Sequence, residues 1–322
     1  MRSREDNVDI CVLLATYRRP QLLAQTLRSL ASQRLDTCSV SVTVADNASD
    51  PATREVAIGQ APELAVRYLA ADRRRGKSAA LNVALEALPE CDLLVLTDDD
   101  IVAHPDWIAE LWSAAQRWPD ADVFGGRIKA RFSQSALSPE VSEAWLRVAF
   151  GVENESGPER PVASDRLWGT NLAVRGRALA GGIRFDEALG PAQGDYATGC
   201  ETDLTARLVE AGATCVFVPT AIVEHIVRDE QLAPAWLCQR AFKHGRGTAA
   251  KAPAASQHPL WGVPRWIYRR RAEWALRRWF RSFRGEQTKL LEANMEAEFL
   301  RGLVSYYKEQ AVGRLQSATR AG

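Results

Sequence analysis

The 322-residue sequence lacks features that would place it in several large classes of protein. It has no apolar run near the length of about 18 residues that a membrane-spanning helix needs. Its 41 lysines and arginines nearly balance 40 acidic residues, and this net charge of +1 argues against a general nucleic-acid-binding protein. The six cysteines include no CxxC pair, and the polar start MRSREDNVD does not resemble a signal peptide. These absences predict a soluble, cytoplasmic protein with reduced thiols.

The first half of the sequence contains an alternation of strand and helix patterns. Helix-forming segments separate the strand candidates VDICVLLAT, SVSVTVAD, LAVRYLA and CDLLVLT. Such alternation predicts βαβ units and a parallel sheet with helices on both faces. Ligands bind these sheets at the carboxyl ends of the strands, which is where the loops YRRP, ADN and DDD fall. The pattern therefore predicts a site at one edge of the sheet.

Three consecutive aspartates, Asp98, Asp99 and Asp100, follow the apolar strand LLVLT. Because adjacent carboxylates repel one another, a positive partner is expected beside them. If the chain stays extended, Asp98 and Asp100 lie on one side and form a hard oxygen site suited to Mg²⁺ or Mn²⁺. An acidic turn that caps the next helix is the structural alternative. A phosphohydrolase with Asp98 as nucleophile is another, although the glycine expected near such a nucleophile is missing.

Six motifs, in order, resemble those of the inverting family 2 glycosyltransferases: TYRRP, VADNASD, RGKSAALN, LTDDD, GTNLAVR and GCETDLTARL. The resemblance covers roughly residues 8–247. It implies a GT-A fold, which is an α/β, Rossmann-like domain with a mostly parallel central sheet flanked by helices. We accordingly expect this domain at residues 1–250, with a nucleotide-binding half at about 1–130 and an acceptor half at about 131–250. Residues 251–322 are expected to form a helical C-terminal extension.

The resemblance also implies a donor site and a metal, Mn²⁺ or Mg²⁺. Residues matched to donor binding are Thr16, Tyr17, Arg18, Asp46, Asn47, Gly76, Lys77, Asn82, Asp98 and Asp99. Asp98 and Asp100 match the D-x-D pair that holds the metal, and His225 is expected to act on the metal or the phosphates. Arg240, Lys243 and Arg246, around a turn at Gly245, would neutralise the diphosphate. The alternative for His225 is an ordinary core or surface histidine. The alternative for the three basic residues is a solvated helix end without a phosphate partner.

Inverting transfer needs a carboxylate that removes the proton of the acceptor hydroxyl. By resemblance, Glu201 occupies this position in GCETDL, but Cys200 stands where the family often has an acid, so Asp203 is also a candidate. Glu201 is favoured because it lies near a helix N-terminus, where the dipole stabilises its ionised form. Asp203 can instead pair with Arg207 at i and i+4. The matched acceptor and sugar segment is Trp168, Gly169, Thr170 and Asn171.

The segment at 264–285, PRWIYRRRAEWALRRWFRSFRG, combines eight arginines with one glutamate and three tryptophans. On a helical wheel most arginines lie on one arc and most apolar side chains on another, with Ile267 and Trp274 as exceptions. This division is typical of an interfacial helix and predicts peripheral association with the inner face of the membrane. Packing of the aromatic stripe against the catalytic domain is the alternative. No Q-x-x-R-W motif is present, so a processive synthase is not expected.

The sequence thus predicts a non-processive, inverting glycosyltransferase that acts in glycan, glycolipid or glycosylated metabolite synthesis. Its partners would be a nucleotide diphosphate sugar and a hydroxyl acceptor, with no nucleic acid. Three alternatives remain open. The Asp98–Asp100 cluster could serve a nucleotidyltransferase or an aspartyl-phosphate phosphohydrolase, or the chain could be a catalytically silent sugar-binding or membrane-docking subunit.

Overall fold

The chain divides into two compact units. The computed structural model describes residues 8–35, 38–59, 64–133, 141–192, 194, 196–252, 260–284 and 287–321. The first unit comprises Met1–Arg131, Gly151–Gln193 and Cys200–Ile226, and the second comprises Phe132–Phe150, Gly194–Gly199 and Val227–Gly322. The domain boundary predicted at residue 250 stays a prediction.

In the described part of the first unit, nine strands form one mixed sheet. The strands are β1 (Val8–Thr16), β2 (Cys38–Asp46), β3 (Ala65–Ala70), β4 (Leu93–Asp98), β5 (Ile101–Ala103), β6 (Val123–Arg131), β7 (Arg160–Pro161), β8 (Asn171–Arg175) and β9 (Cys215–Ile226). Their order is β3-β2-β1-β4-β8-β6-β9-β5, and β7 pairs with β9. The α/β fold is therefore confirmed.

The parallel part of the sheet is the part whose sequence alternates strand and helix. β1 pairs in parallel with β2 and β4, and β2 pairs in parallel with β3. β8 then joins β4 and β6 in antiparallel orientation, while β6 and β9 are parallel. The helices of this unit are α1 (Pro20–Ala31), α2 (Pro51–Gly59), α3 (Lys77–Ala87), α4 (Trp107–Arg117), α6 (Gly176–Leu179) and α7 (Cys200–Glu210).

Apolar side chains on the sheet and its helices share one core. Leu14, Val44 and Val95 are fully buried on neighbouring strands, since the central strands are covered on both faces. Trp107 of α4 is also fully buried in this core. Its indole N–H donates a hydrogen bond of 2.8 Å to Asn171 Oδ1, which fixes the start of β8 relative to α4.

The second unit is helical in its described residues. Its helices are α5 (Glu143–Phe150), α8 (Pro234–Lys251), α9 (Arg265–Arg284) and α10 (Gln287–Ala321). The turn predicted at Gly245 is wrong, because α8 runs through it to Lys251. A Cβ atom at Gly245 would lie 2.0 Å from Phe299 O, and one at Gly302 would lie 2.1 Å from Phe242 O. These glycines serve the close approach of the α8 and α10 backbones rather than a turn. No helix within the described ranges is long and apolar enough to cross a membrane.

Candidate active site

The polar loops that follow β1, β2 and β4 meet at one edge of the sheet. Thr16 at the end of β1 is the register partner of Asp46 at the end of β2. Ala15 is likewise the partner of Asp98, the last residue of β4. The carboxyl ends of parallel strands lie at the same edge of a sheet. The side chains of the loops that follow these strands therefore face one another. The predicted edge is present.

Asp98 is held by two donors. Lys77 Nζ at the start of α3 lies 2.5 Å from Asp98 Oδ1, and Thr170 Oγ1 donates a hydrogen bond of 2.6 Å to Oδ2. Burial by itself would raise the pKa of Asp98, but the Lys77 ammonium and these hydrogen bonds outweigh burial and hold the pKa well below its usual range. Asp98 is thus an ionised carboxylate at neutral pH.

Glu201 shares the same lysine. Lys77 Nζ lies 2.5 Å from Glu201 Oε1, and the Cys200 thiol donates to Oε2 at 3.0 Å. Although burial opposes ionisation, the Lys77 ammonium lowers the pKa of Glu201, and the start of α7 adds a favourable dipole. Burial also raises the pKa of Cys200, which keeps that group a neutral S–H donor.

Gly169 provides the space that Glu201 occupies. A Cβ atom at position 169 would lie 2.2 Å from Cγ and 2.5 Å from Cδ of Glu201. Separations this short are not tolerated, so the glutamate side chain depends on the absence of a side chain at 169. The other acid of the motif points elsewhere, since Asp203 Oδ2 accepts from Arg207 Nη2 at 2.8 Å. The pair expected at i and i+4 is present.

Asp99 and Asp100 share a second cation. Arg19 Nη1 lies 3.0 Å from Asp99 Oδ1 and 3.0 Å from Asp100 Oδ2. Thr16 Oγ1 donates to Asp99 at 2.6 Å, and His225 Nε2 lies 3.3 Å from Asp100 Oδ1. Burial raises the pKa of Asp99 to about 6, although Arg19 opposes the shift. For Asp100 burial is outweighed, chiefly by the interaction with His225 and then by Arg19, and the pKa is lowered.

Arg19 is a site residue that the motif comparison missed. The expected donor residue was its neighbour Arg18, which has a φ of 53° and places its guanidinium 5.6 Å from the centre of the Tyr17 ring. The left-handed backbone at Arg18 turns the chain, so the next arginine reaches the aspartates. Two adjacent arginines after a strand predict a basic loop at the site, but they do not tell which arginine contacts the aspartates.

The residues of the predicted metal site lie together, but two cationic side chains of the protein already pair with their carboxylates. Lys77 and Arg19 face four carboxylates: Asp98, Asp99, Asp100 and Glu201. Within the described ranges, no group of three or more His, Cys, Asp or Glu side chains is arranged to hold a metal ion. The carboxylates nevertheless outnumber the two permanent cations, and carboxylate oxygens are ligands that Mn²⁺ and Mg²⁺ prefer. The chemistry of the cluster fits a divalent cation.

Asp46 is engaged within its own loop. It is fully buried and accepts hydrogen bonds from the backbone N–H groups of Ala48 at 2.9 Å and Asp50 at 2.8 Å. The hydroxyl of Tyr68 donates to it at 3.0 Å, and burial together with this bond raises the pKa of Tyr68 to about 12. Both carboxylate oxygens thus shape the loop. The predicted contact of Asp46 with the donor base stays a prediction.

Two asparagines of the predicted donor site hold backbone segments in place. Asn47 Nδ2 donates to two carbonyl oxygens of the loop before α3, and its Oδ1 accepts from the N–H of Gly76 at 2.8 Å. Gly76 has a φ of 111°, a conformation that favours glycine. Asn82 donates to the carbonyl of Phe185 at 3.0 Å and accepts from its N–H at 2.9 Å. Asn47 thus holds the loop that precedes Lys77, and Asn82 ties α3, which begins at Lys77, to Phe185.

The segment Trp168–Asn171 serves both the core and the site. Trp168 packs against the core of the first unit, and its buried Nε1 has no hydrogen-bond partner within the described residues. Thr170 bonds to Asp98, as described above. Asn171 donates to the carbonyl oxygens of Arg127 at 3.0 Å and Ala221 at 2.9 Å, which ties β8 to its neighbours. The acceptor contacts predicted for this segment stay predictions.

The three basic residues predicted at the diphosphate belong to α8 of the second unit. Arg246 is buried, and its guanidinium pairs with Glu309 at 2.7 and 2.8 Å. Lys243 Nζ lies 4.2 Å from the centre of the Tyr196 ring, and Arg240 Nε donates to a backbone carbonyl at 3.3 Å. Each side chain therefore has contacts inside the second unit. Their predicted role with the diphosphate stays a prediction.

Comparison with known proteins gives consistent similarities. The sequence model described as "Glycosyl transferase family 2" matches residues 11–171. The succinoglycan biosynthesis protein ExoM of Rhizobium meliloti is 31% identical over 266 residues, which are 80% of each chain. The N-acetylglucosaminyl-diphospho-decaprenol L-rhamnosyltransferase of Mycobacterium tuberculosis is 30% identical over 224 residues, with 61% of this chain and 68% of that one covered.

A solved structure extends the similarity to most of the chain. The mannosyltransferase PcManGT from Pyrobaculum calidifontis, in complex with GDP-Man and Mn²⁺, superposes with a TM-score of 0.53. The likeness covers 97% of this chain and 75% of that one at 19% sequence identity. At this identity the likeness concerns the fold.

Proposed function

The chain belongs to glycosyl transferase family 2 and has the GT-A fold, and from this premise we propose that it inverts the configuration of the sugar it transfers. Membership makes the protein a glycosyltransferase. The proposal adds that one sugar moves from a nucleotide diphosphate sugar to a hydroxyl acceptor, without processive elongation, and that a divalent metal ion takes part. Family membership also removes the support for the phosphohydrolase and nucleotidyltransferase alternatives.

One observation carries the proposal: a single ammonium bridges the carboxylate that ends β4 and the carboxylate that begins α7. Lys77 Nζ contacts Asp98 and Glu201 at 2.5 Å each. The first acid belongs to the predicted D-x-D pair and the second is the predicted base, so donor and acceptor chemistry share one small volume. An ionised base this close to the donor motif argues against a silent subunit.

Glu201 is the proposed general base. The acceptor oxygen attacks the anomeric carbon and forms the new glycosidic bond, while the bond from that carbon to the diphosphate oxygen breaks. The hydroxyl proton passes to a carboxylate oxygen of Glu201. The Cys200 thiol and the space above Gly169 fix the direction of that carboxylate. Movement of Lys77 from Glu201 toward the diphosphate would increase the basicity of Glu201 at the moment the proton is needed.

Asp98, Asp100 and His225 are the proposed holders of the metal. A divalent ion there supplies charge stabilisation to the leaving diphosphate. Mn²⁺ accompanies the nucleotide sugar in the PcManGT structure, which supports a metal without deciding between Mn²⁺ and Mg²⁺. Arg19, released from Asp99 and Asp100 in part, is placed to accompany the phosphates as a second cation.

The acceptor proposed is a lipid-linked glycan intermediate. The mycobacterial relative is named for transfer to a diphospho-decaprenol carrier, and the rhizobial relative for succinoglycan biosynthesis. An acceptor of this kind resides at a membrane, so peripheral membrane association belongs to the same proposal.

Thermal-shift measurements with UDP-, GDP-, dTDP- and CDP-sugars test the donor and the metal. We expect one nucleotide sugar to raise Tm with Mn²⁺ and to lose this effect with a chelator. Asp100→Asn should abolish the metal-dependent part, whereas the matched variant Asp203→Asn, whose acid pairs with Arg207, should retain it. Stabilisation that ignores the metal would remove the D-x-D assignment, and no stabilisation by any nucleotide sugar would contradict the proposed donor class.

A further inference from the structure

A short segment of the second unit runs directly into the helix that carries Glu201. The second unit includes Gly194–Gly199, and the next residue, Cys200, begins α7. We call residues 196–199 the lead segment. Because Glu201 is the second residue of α7, only Cys200 separates the lead segment from the proposed base. The backbone position of the lead segment therefore bears on the position of that base.

The lead segment packs against α8 at Gly247. A Cβ atom at position 247 would lie 2.1 Å from the carbonyl oxygen of Thr198 and 2.9 Å from its backbone C and N atoms. Both residues are buried. Separations this short are not tolerated between real atoms, so the contact of the two backbones requires a residue without a side chain at 247.

Two lysines of α8 flank this contact. Lys243 Nζ lies 4.2 Å from the centre of the Tyr196 ring, and a Cβ atom at Gly199 would lie 2.7 Å from Lys251 Nζ. Residues 243, 247 and 251 are four positions apart and lie on one side of the helix. The same face of α8 thus contacts the lead segment at its beginning, middle and end.

The other side of α8 is closed by α10. As described above, a Cβ atom at Gly245 would lie 2.0 Å from Phe299 O. At about 100° per residue, Gly245 and Gly247 face nearly opposite directions. Helix α8 therefore has a backbone contact on both sides and cannot move away from the lead segment without meeting α10. A side chain added at 247 has to displace the lead segment.

We propose that Gly247 is a positioning residue for sugar transfer, because it lets α8 hold the lead segment and thereby sets the position of Glu201. The inference rests on the proposed function, in which Glu201 is the general base. Gly169 leaves room for the side chain of that base, whereas Gly247 fixes the backbone that carries it. The second unit would in this way contribute to chemistry through a residue that contacts neither donor nor acceptor.

Hydrogen–deuterium exchange of the full-length protein is the first test and needs no substrate. Gly247→Ala is compared with the matched control Gly245→Ala, which adds the same methyl group on the other side of α8. Both variants should lower Tm, because both additions are crowded. Only Gly247→Ala should speed exchange in peptides covering residues 196–205, by about threefold or more. Equal exchange of these peptides in the two variants would overturn the proposal.

Turnover is the second test. We measure the release of nucleoside diphosphate, with water as acceptor, from the nucleotide sugar that the thermal-shift panel selects, at a temperature where both variants are folded. We expect kcat of Gly247→Ala to fall about tenfold or more, the scale of a misplacement of about 1 Å, with little change in KM for the donor. Gly245→Ala should keep a kcat near that of the wild type. Equal kcat in the two variants, or a higher KM with an unchanged kcat, would contradict the positioning role.

Lys243→Met tests the same face of α8 if Gly247→Ala does not fold. It removes the ammonium group from the Tyr196 ring and leaves the helix backbone unchanged. We expect the same two changes on a smaller scale, about twofold to fivefold in kcat, with donor-induced stabilisation retained. Unchanged exchange together with unchanged kcat, or loss of donor-induced stabilisation alone, would contradict the proposal.

Failure of the base assignment and failure of this inference give different results. If Glu201→Gln is fully active, the proposed base is wrong, although the difference in exchange between the two glycine variants persists. If Glu201→Gln is inactive and Gly247→Ala behaves as Gly245→Ala does, the base stands and the positioning role is wrong.

Discussion

The edge of the sheet and helix α9 hold their positive charges in opposite ways. At the sheet edge, Lys77 and Arg19 each contact two carboxylates that are buried or nearly so. Along α9, most arginines are exposed and one glutamate accompanies them. Ionised groups withdrawn from water are costly unless they are paired, whereas exposed charges stay hydrated at little cost. The first arrangement suits a site that organises charge for chemistry, and the second suits a surface that meets an extended charged partner.

The comparison also separates two uses of glycine. Gly169 in the first unit leaves room for a functional side chain, Glu201. Gly245 and Gly302 in the second unit leave room for a neighbouring backbone. Substitution at the first position should therefore affect chemistry, and substitution at the other two should affect packing.

The largest effect is expected for Glu201→Gln, which removes the proposed base and nearly preserves the shape of the side chain. Transfer should fall by about 10²-fold or more, because the acceptor proton loses its carboxylate. Stabilisation by donor and metal should persist, as measured by thermal shift. Asp203→Asn is the matched control and should keep most of its kcat. A fully active Glu201→Gln together with an inactive Asp203→Asn would show that Asp203, and not Glu201, is the base.

Gly169→Ala should have the next largest effect, because it tests whether Glu201 needs the space left by the missing side chain at position 169. The added Cβ would meet Glu201 Cγ at 2.2 Å, so the carboxylate must move. We expect kcat to fall about 10–10²-fold, the scale of a misplacement of about 1 Å, with little change in donor binding. Gly181→Ala is the control, since a Cβ there has no neighbour within 4 Å. Equal loss of kcat and of donor-induced stabilisation would indicate a general defect in the fold.

The smallest effect is expected for His244 of α8. Unlike the cations at the sheet edge, which lie beside carboxylates, the positive charges near this ring oppose its protonation. Burial, then Arg240 and Lys251, lowers the pKa of His244 to about 4. The unfolded chain, with a pKa of about 6.5, takes up the proton first, so stability is full above that pH and declines as pH falls toward 4. Between pH 7.5 and 5 we expect a loss of about 1–2 kcal/mol, because the ring is partly exposed.

Urea denaturation at the two pH values measures this loss. The variant His244→Phe keeps an aromatic ring beside Phe299, whose centre lies 5.5 Å away, and removes the titration. Its unfolding free energy should change less with pH than that of the wild type. The same pH dependence in both proteins would assign the loss to other groups.

Much of the site could be predicted from the sequence because its residues occur in short motifs at the ends of strands. The DDD run after LLVLT places Asp98 and Asp100, and the ETDL helix start places Glu201, with an internal pairing of Asp203 that follows from helical spacing. The strand–helix alternation of the first half similarly predicts its parallel strands.

Other features depend on contacts that the sequence does not encode locally. The contact of Arg19 with Asp99 and Asp100 follows from the left-handed backbone of the residue before it, Arg18. The continuous course of α8 through Gly245 follows from the position of Phe299 in α10, which lies more than fifty residues further along the chain. Similarly, Ile267 and Trp274 interrupt the basic arc on a helical wheel, and their packing against α10 explains why they are apolar.

The bridge formed by Lys77 has a consequence for the salt dependence of donor binding. Its ammonium already neutralises carboxylates that a metal-bound diphosphate would otherwise encounter as bare charge. A diphosphate sugar with its divalent ion is close to neutral, so binding exchanges one set of ion pairs for another and brings little net charge into the protein. Donor affinity should therefore change little with ionic strength.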